Sequence, residues 1–175
     1  EIFKNERPDI VNHHAAQMDV RRSIREPVYD AKVNILGSLV ILQSCLQNNV
    51  KKFIYVGSAG ASYGEPKYLP MDEAHSIEAI CPYGISKHTV EHYLHLYHHN
   101  YGLKYVSLRY PNIYGPRQEP ENEAGVVSIF ASKMLKGERP TIFGDGKQTR
   151  DFVFVSDAVK ANLMALKKFT NDSYN

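Results

Sequence analysis

Lys52-Phe53-Ile54-Tyr55-Val56-Gly57 is a nearly unbroken apolar run with a charge at its entry and a glycine at its exit. A run without polar alternation reads as a strand buried on both faces, the character of a parallel sheet. Upstream, Asn48-Asn49 end a segment in which Val28, Ala31, Ile35, Leu39, Leu42 and Leu46 recur at helical spacing, predicting one helix face. Downstream, a loop containing Gly, Ala and Pro runs to about residue 81, and Pro82 suits the first turn of a second helix. Positions 83, 87, 90, 94, 97 and 101 share a face of that helix, and Gly102 closes it. Lys104 to Tyr110 predicts another strand; Ile10-Val11, after the break at Pro8-Asp9, predicts a short earlier one. This βαβαβ alternation predicts an α/β fold built on a doubly wound parallel sheet. Ligands of such sheets bind beyond the C-terminal strand ends, so chemistry is expected in the loops after Val11, Val56 and Arg109.

Beyond Pro116 the pattern changes to a polar stretch, a helix near 126–135, and Thr141-Ile142-Phe143 before a Gly144-Asp145-Gly146 turn. A strand over Phe152–Val155 and a helix over Asp157–Lys168 follow. The 175 residues suffice for one domain with a real core. An apolar fraction of 43% and a net charge of +2, with both signs interspersed, indicate a globular protein without a nucleic-acid surface. No 18-residue apolar run or signal peptide is present, so a membrane role is not expected and a cytoplasmic location is. Glu1-Ile2-Phe3-Lys4 reads as the middle of a helix, and the sequence is expected to be an internal piece of a longer chain.

Tyr83 and Lys87 stand four residues apart and so point the same way on their helix. Tyrosine titrates near ~10. An ammonium ~5 Å away at an effective dielectric of ~20 favours phenolate by roughly 3 kcal/mol, about two pKa units. The pair therefore suits acid–base work near neutral pH. At the end of the central strand, the Ser58 hydroxyl is placed to bond the substrate hydroxyl that Tyr83 deprotonates. Small residues in Asn12-His13-His14-Ala15-Ala16-Gln17 admit a flat cofactor close to the backbone. Arg150, just before a strand, suits a phosphate. His88, His92, His95 and His99 form a stripe, but no carboxylate pattern accompanies it; an exposed or subunit-facing stripe is expected rather than a metal site. Cys45 and Cys81 lack metal spacing, and no metal is expected.

In order and spacing, these segments resemble the extended short-chain dehydrogenase/reductase family, in its NAD-dependent epimerase/dehydratase branch, and most nearly its UDP-sugar 4-epimerases. The matching motifs are His-x-Ala-Ala-Gln at 13–17, Asn34-x-x-Gly37, Tyr63-Gly64-Glu65-Pro66, Tyr83-x-x-x-Lys87, Leu108-Arg109-Tyr110-x-Asn112-x-Tyr114-Gly115-Pro116-Arg117, and Gly144-Asp145-Gly146 followed by Arg150-Asp151. The resemblance implies a Rossmann-like sheet lacking its first βαβ portion. Residues 1–115 would be the C-terminal part of the NAD domain. Residues 116–175 would be part of a substrate-binding region, with 152–168 packing back on the sheet.

It further implies Tyr83 as general base, Lys87 as ribose ligand that also lowers the Tyr83 pKa, and Ser58 as the catalytic hydroxyl. His14, Ala15, Ala16, Gln17, Asn34 and Tyr110, with Tyr83 and Lys87, would border NAD. Asn112, Arg117 and Arg150, with Ser58, would hold a UDP-sugar. A homodimer through the helices over 28–47 and 83–100 is expected on the same grounds. The rivals are a 4,6-dehydratase or decarboxylase of the same fold, and a non-catalytic nucleotide-sugar-binding module. The loop from Ser58 has no Asp or Glu before Glu65, which favours epimerisation.

Overall fold

A computed structural model describes residues 1–120, 125–168 and 170–175. The chain enters through α1 (Ile2–Glu6) and β1 (Ile10–His13), followed by α2 (Val20–Arg25) and α3 (Pro27–Ala31). A π-helical turn over Lys32–Leu36 leads into α4 (Gly37–Gln47). Then come β2 (Lys52–Ser58), α5 (Ala59–Tyr63), α6 (Pro82–Tyr101), β3 (Lys104–Tyr110) and β4 (Asn112–Tyr114). The described chain ends with α7 (Val126–Leu135), β5 (Phe152–Phe154), α8 (Val155–Lys167) and β6 (Asp172–Tyr174).

The main sheet has the order β1-β2-β3-β6, and every pair is parallel. A second, two-stranded sheet joins β4 to β5. Successive β2 side chains serve opposite layers, as the unbroken apolar run requires. Phe53 and Tyr55 pack with Leu42, Cys45, Val90 and Leu94 under α4 and α6. Ile54 joins Val106, Leu108 and Ala165 on the α8 side. Lys52 is 1% exposed, with its ammonium on the carbonyls of Ala165, Leu166 and Lys168. It thus caps the C-terminal end of α8, where the helix leaves carbonyls unpaired, and fastens that helix to the sheet.

The structure departs from the sequence reading in several places. The helix expected over 28–47 is interrupted by the π turn. Its best-buried residues in the first half are polar: Asp30, Asn34 and Ser38, spaced by four, while Val28 is 67% exposed. On α6, Lys87, Val90, Leu94 and Tyr97 are buried as expected, but Tyr101 is exposed. β6 was not foreseen at all; it pairs with β3 at Val106–Leu108 and covers that edge.

Candidate active site

Pro82 occupies the first turn of α6, and the Cys81 sulfur accepts a hydrogen bond from the Gly84 amide at 3.4 Å. A Cβ at Gly84 would lie 2.0 Å from the Ala61 carbonyl oxygen, so only glycine lets α6 start this close to α5. That approach brings Tyr83 to the end of β2. Ser58 is the N-cap residue of α5, yet its hydroxyl makes no capping bond and is left to act on the Tyr83 phenol. One turn along, Lys87 is 3% exposed, and its Nζ sits 4.3 Å from the Tyr55 ring centroid. The structure therefore gathers Ser58, Tyr83 and Lys87 at one strand end.

Their electrostatics differ from the sequence expectation. Burial raises the Tyr83 pKa, the Ser58 hydroxyl works against it, and the negative charge of Asp30 adds to the rise. Burial pushes the Lys87 ammonium down to about 8, opposed by the carboxylates of Glu91 and Asp30. The expected lowering of the Tyr83 pKa is thus not seen: removal of the phenol from water, the largest influence on it, moves it the other way.

At the end of β1, His13 is buried with Nε2 at 3.0 Å from Ser38 Oγ. Burial, then Lys87 and His14, push His13 down to about 4, so it is neutral at pH 7. His14 is exposed, its Nε2 at 3.2 Å from Asn162 Oδ1. Ala15 and Ala16 present only methyl groups at this strand end. The Gln17 side chain turns inward to the Asp19 carbonyl and the Asp30 carboxylate. Asn34 is 2% exposed; its Oδ1 accepts from the Gln17 amide at 2.8 Å and its Nδ2 donates to the Gln17 carbonyl at 2.9 Å. Gln17 and Asn34 thus shape the loop from below rather than offering free side chains. The Tyr110 hydroxyl is engaged with α8, donating to the Ala158 carbonyl at 2.9 Å and accepting from Asn162 at 2.7 Å.

The remaining expected substrate residues lie around the small sheet. Asn112 is exposed and donates through both its backbone N–H and its Nδ2 to the Asp151 carbonyl, at 3.1 and 3.0 Å. Arg150, beside Asp151, is exposed, with its guanidinium on the Thr149 carbonyl at 2.7 Å. Arg117 has a left-handed backbone with φ 70° and lines a cleft of ≈ 510 Å³ with Tyr114, Val127 and Leu135. Beneath the site is a network that the sequence reading missed. Glu91 accepts from Ser107 at 2.7 Å and, in forked fashion, from Arg109 Nε at 3.0 Å and Nη2 at 2.8 Å. Arg109 Nη1 donates to the Tyr63 hydroxyl at 2.7 Å. A Cβ at Gly57 would lie 3.1 Å from Glu91 Oε1 and 3.2 Å from Arg109 Cγ, which explains the glycine in β2. In the histidine stripe, His88 bonds Glu91 at 3.0 Å and meets the His92 ring edge-on at 4.5 Å. Among the described residues, no group of three or more His, Cys, Asp or Glu side chains is placed to hold a metal ion. No described helix is long and apolar enough to cross a membrane.

A parallel sheet whose central strand ends in a Ser, Tyr and Lys cluster defines a short-chain dehydrogenase/reductase-type site. The chain belongs to the NAD-dependent epimerase/dehydratase family, whose model matches residues 1–175. It is 54% identical over 158 residues to a putative UDP-glucose 4-epimerase of Methanocaldococcus jannaschii, covering 90% of this chain and 52% of that protein. The UDP-glucose 4-epimerase of Thermotoga maritima, solved with UDP-glucose, superposes with a TM-score of 0.97 at 51% identity, covering 99% of this chain and 57% of that one. The Thermus thermophilus UDP-glucose 4-epimerase, solved with NAD, gives a TM-score of 0.92 at 44% identity, covering 99% of this chain and 57% of that one. dTDP-glucose 4,6-dehydratases match at lower identity. The chain thus spans about half the length of the relatives it matches.

Proposed function

We propose that this chain carries the acid–base centre of an NAD-dependent epimerase acting at C4 of a nucleotide sugar of the UDP-glucose/UDP-galactose type. The observation behind this reading is the convergence at the end of β2 of Ser58, Tyr83 at the start of α6 and Lys87, buried one turn further along that helix. The residues fit the cofactor: Ala15 and Ala16 leave the end of β1 free of bulk while the Gln17 side chain turns away. His14, Ala15, Ala16 and Tyr110 would flank NAD, Gln17 and Asn34 would hold the loop it rests on, and Lys87 would bind its ribose. When bound, NAD supplies a hydride acceptor and donor at C4.

The protein's own part is proton transfer. Ser58 orients the sugar 4-hydroxyl, and Tyr83 is the group that takes its proton as the 4-keto sugar forms. The same Tyr83 returns the proton after the keto sugar presents its other face, so sugar and enzyme end with their atoms in balance. Asn112 and Arg150, on adjoining sides of the β4–β5 pair, would hold the pyrophosphate, with Arg117 nearer the β4–α7 cleft. The loop from Ser58 offers no carboxylate before Glu65 to drive loss of water, which favours epimerisation over 4,6-dehydration. A soluble nucleotide-sugar substrate suits a cytoplasmic setting. Val28, Leu36, Val40 and Leu96 are exposed apolar residues on the helices expected to form a homodimer.

The test is to incubate the full-length protein and NAD with UDP-galactose and follow the sugar anomeric protons by NMR. UDP-glucose should accumulate. A 4-keto-6-deoxy product, or no change beside a working control epimerase, would overturn the reading.

A further inference from the structure

Asp30 is wholly buried, which is costly for a carboxylate unless its oxygens are bonded and its charge is balanced. Its Oδ1 accepts from Gln17 Nε2 at 2.9 Å and Asn34 Nδ2 at 3.0 Å, and its Oδ2 accepts from Ser86 Oγ at 2.7 Å. All three donors are neutral. Glu91, the other carboxylate acting on Lys87, instead spends its charge on the fork of Arg109 and on His88. The negative charge of Asp30 is therefore the less neutralised of the two, and it acts on both Tyr83 and Lys87.

We propose that Asp30 is a positioning residue for the Tyr83–Lys87 pair: its carboxylate ties α6 to the cofactor-facing loop through Ser86, Gln17 and Asn34, and its negative charge acts on both members of the pair. The proposal rests on the assignment of Tyr83 as base made above. The tie is direct. Ser86 precedes Lys87 on α6, while Asn34 clamps both backbone groups of Gln17 at the end of the β1 loop. One carboxylate thus fixes the base, its lysine and the cofactor loop relative to one another.

The other groups facing the pair are accounted for. Tyr55 comes from β2, His13 from β1, Cys81 from the entry to α6 and Glu91 from within it. From α2, Arg22 is turned outward onto the Tyr29 ring, 4.0 Å from its centroid, and onto Glu26. Removing a negative charge favours loss of a proton from phenol and ammonium alike. Both steps should therefore move to lower pH together, whereas a merely structural role would lower activity without translating the profile.

The test uses the full-length protein carrying ¹³Cζ-tyrosine, with the Tyr83 resonance assigned by its loss in Tyr83→Phe. In Asp30→Asn the Tyr83 titration is expected to fall by roughly 1 pH unit, and the kcat/KM profile to shift the same way. A Tyr83 titration that coincides with wild type in a folded Asp30→Asn protein would overturn the proposal. Asp30→Ser is the second variant, with the same expected shift. If neither variant folds, Asp30 serves stability alone and the proposal fails. The NMR titration needs no turnover, so its outcome is separable from whether the protein epimerises a nucleotide sugar.

Discussion

Gly84 of α6 and Ala61 of α5 approach so closely that the backbone of one occupies the space of a side chain on the other. This contact, rather than any bond made by Tyr83 itself, places the phenol beside Ser58. A methyl group 2.0 Å from the Ala61 oxygen cannot be absorbed by rotating a side chain. Gly84→Ala is therefore expected to push the start of α6 away from α5. Overpacking of this kind costs about 1–3 kcal/mol. Turnover should fall much further than that loss of stability explains, because the Tyr83 phenol moves away from Ser58 at the end of β2. Thermal unfolding and kcat measured on the same preparation check this; an active Gly84→Ala protein would show that the contact does not position the base.

Tyr83→Phe removes one hydroxyl and little volume. Binding of the UDP-sugar should persist while kcat drops by ~10²–10⁴-fold, the usual contribution of a general base. Calorimetric titration with UDP and a single-turnover assay separate the two effects. Retention of more than about a tenth of wild-type kcat would remove Tyr83 from the role.

The sheet and the Tyr83–Lys87 helix were legible because their signals are apolar or positional: an unbroken hydrophobic strand, a proline at a helix start, and two functional side chains four residues apart. The buried face of α3 and the π turn was not. Asp30, Asn34 and Ser38 repeat every four residues, but a polar stripe reads as solvent-facing unless its mutual hydrogen bonds are known. β6 was hidden for a related reason. Asp172-Ser173-Tyr174 has no strand-like composition and pairs because β3 offers an open edge. The Tyr83 pKa was misjudged because a charge at a distance can be read from spacing, whereas the depth of burial cannot.

Glu91 links stability to pH. Burial opposes its ionisation, but bonds from His88 and Arg109 outweigh that and hold its carboxyl down to about 2, from 4.5. A depressed acid pKa contributes stability above the unfolded value, lost as pH falls from about 4.5 through about 2. Glu91→Gln should flatten this stretch of the stability curve. It should also destabilise the protein at neutral pH by about 3–5 kcal/mol, because Arg109 is left buried without its partner. Urea unfolding between about pH 6 and pH 2 measures both effects. An unchanged pH slope would mean that Glu91 is not the group responsible.

Arg150 is exposed and bonded only to a neighbouring backbone carbonyl among its described contacts, so its guanidinium is available to a ligand at little cost. Arg150→Ala should raise KM for the UDP-sugar far more than it changes NAD occupancy, since a forked cation is matched to a pyrophosphate. Unchanged UDP affinity by calorimetry would exclude Arg150 from the site.

Four of the apolar residues left outside the core lie along the helical segments over 27–47 and α6, which already bury another face. Val28 is 67% exposed, Leu36 54%, Val40 66% and Leu96 44%, whereas Leu42, Cys45 and Leu94 on the same helices are buried. Pairing these helices with those of a second copy would remove the exposed side chains from water at roughly 25 cal/mol per Å² of apolar surface. Wild-type full-length protein should therefore sediment as a dimer at micromolar concentration. Val40→Glu should shift it to monomer without disturbing the fold, because Val40 is 66% exposed and a charge on a dimer face must be desolvated. The decisive comparison is sedimentation of the two proteins alongside their circular dichroism. A wild-type monomer, or a Val40→Glu dimer with unchanged affinity, would place the contact elsewhere.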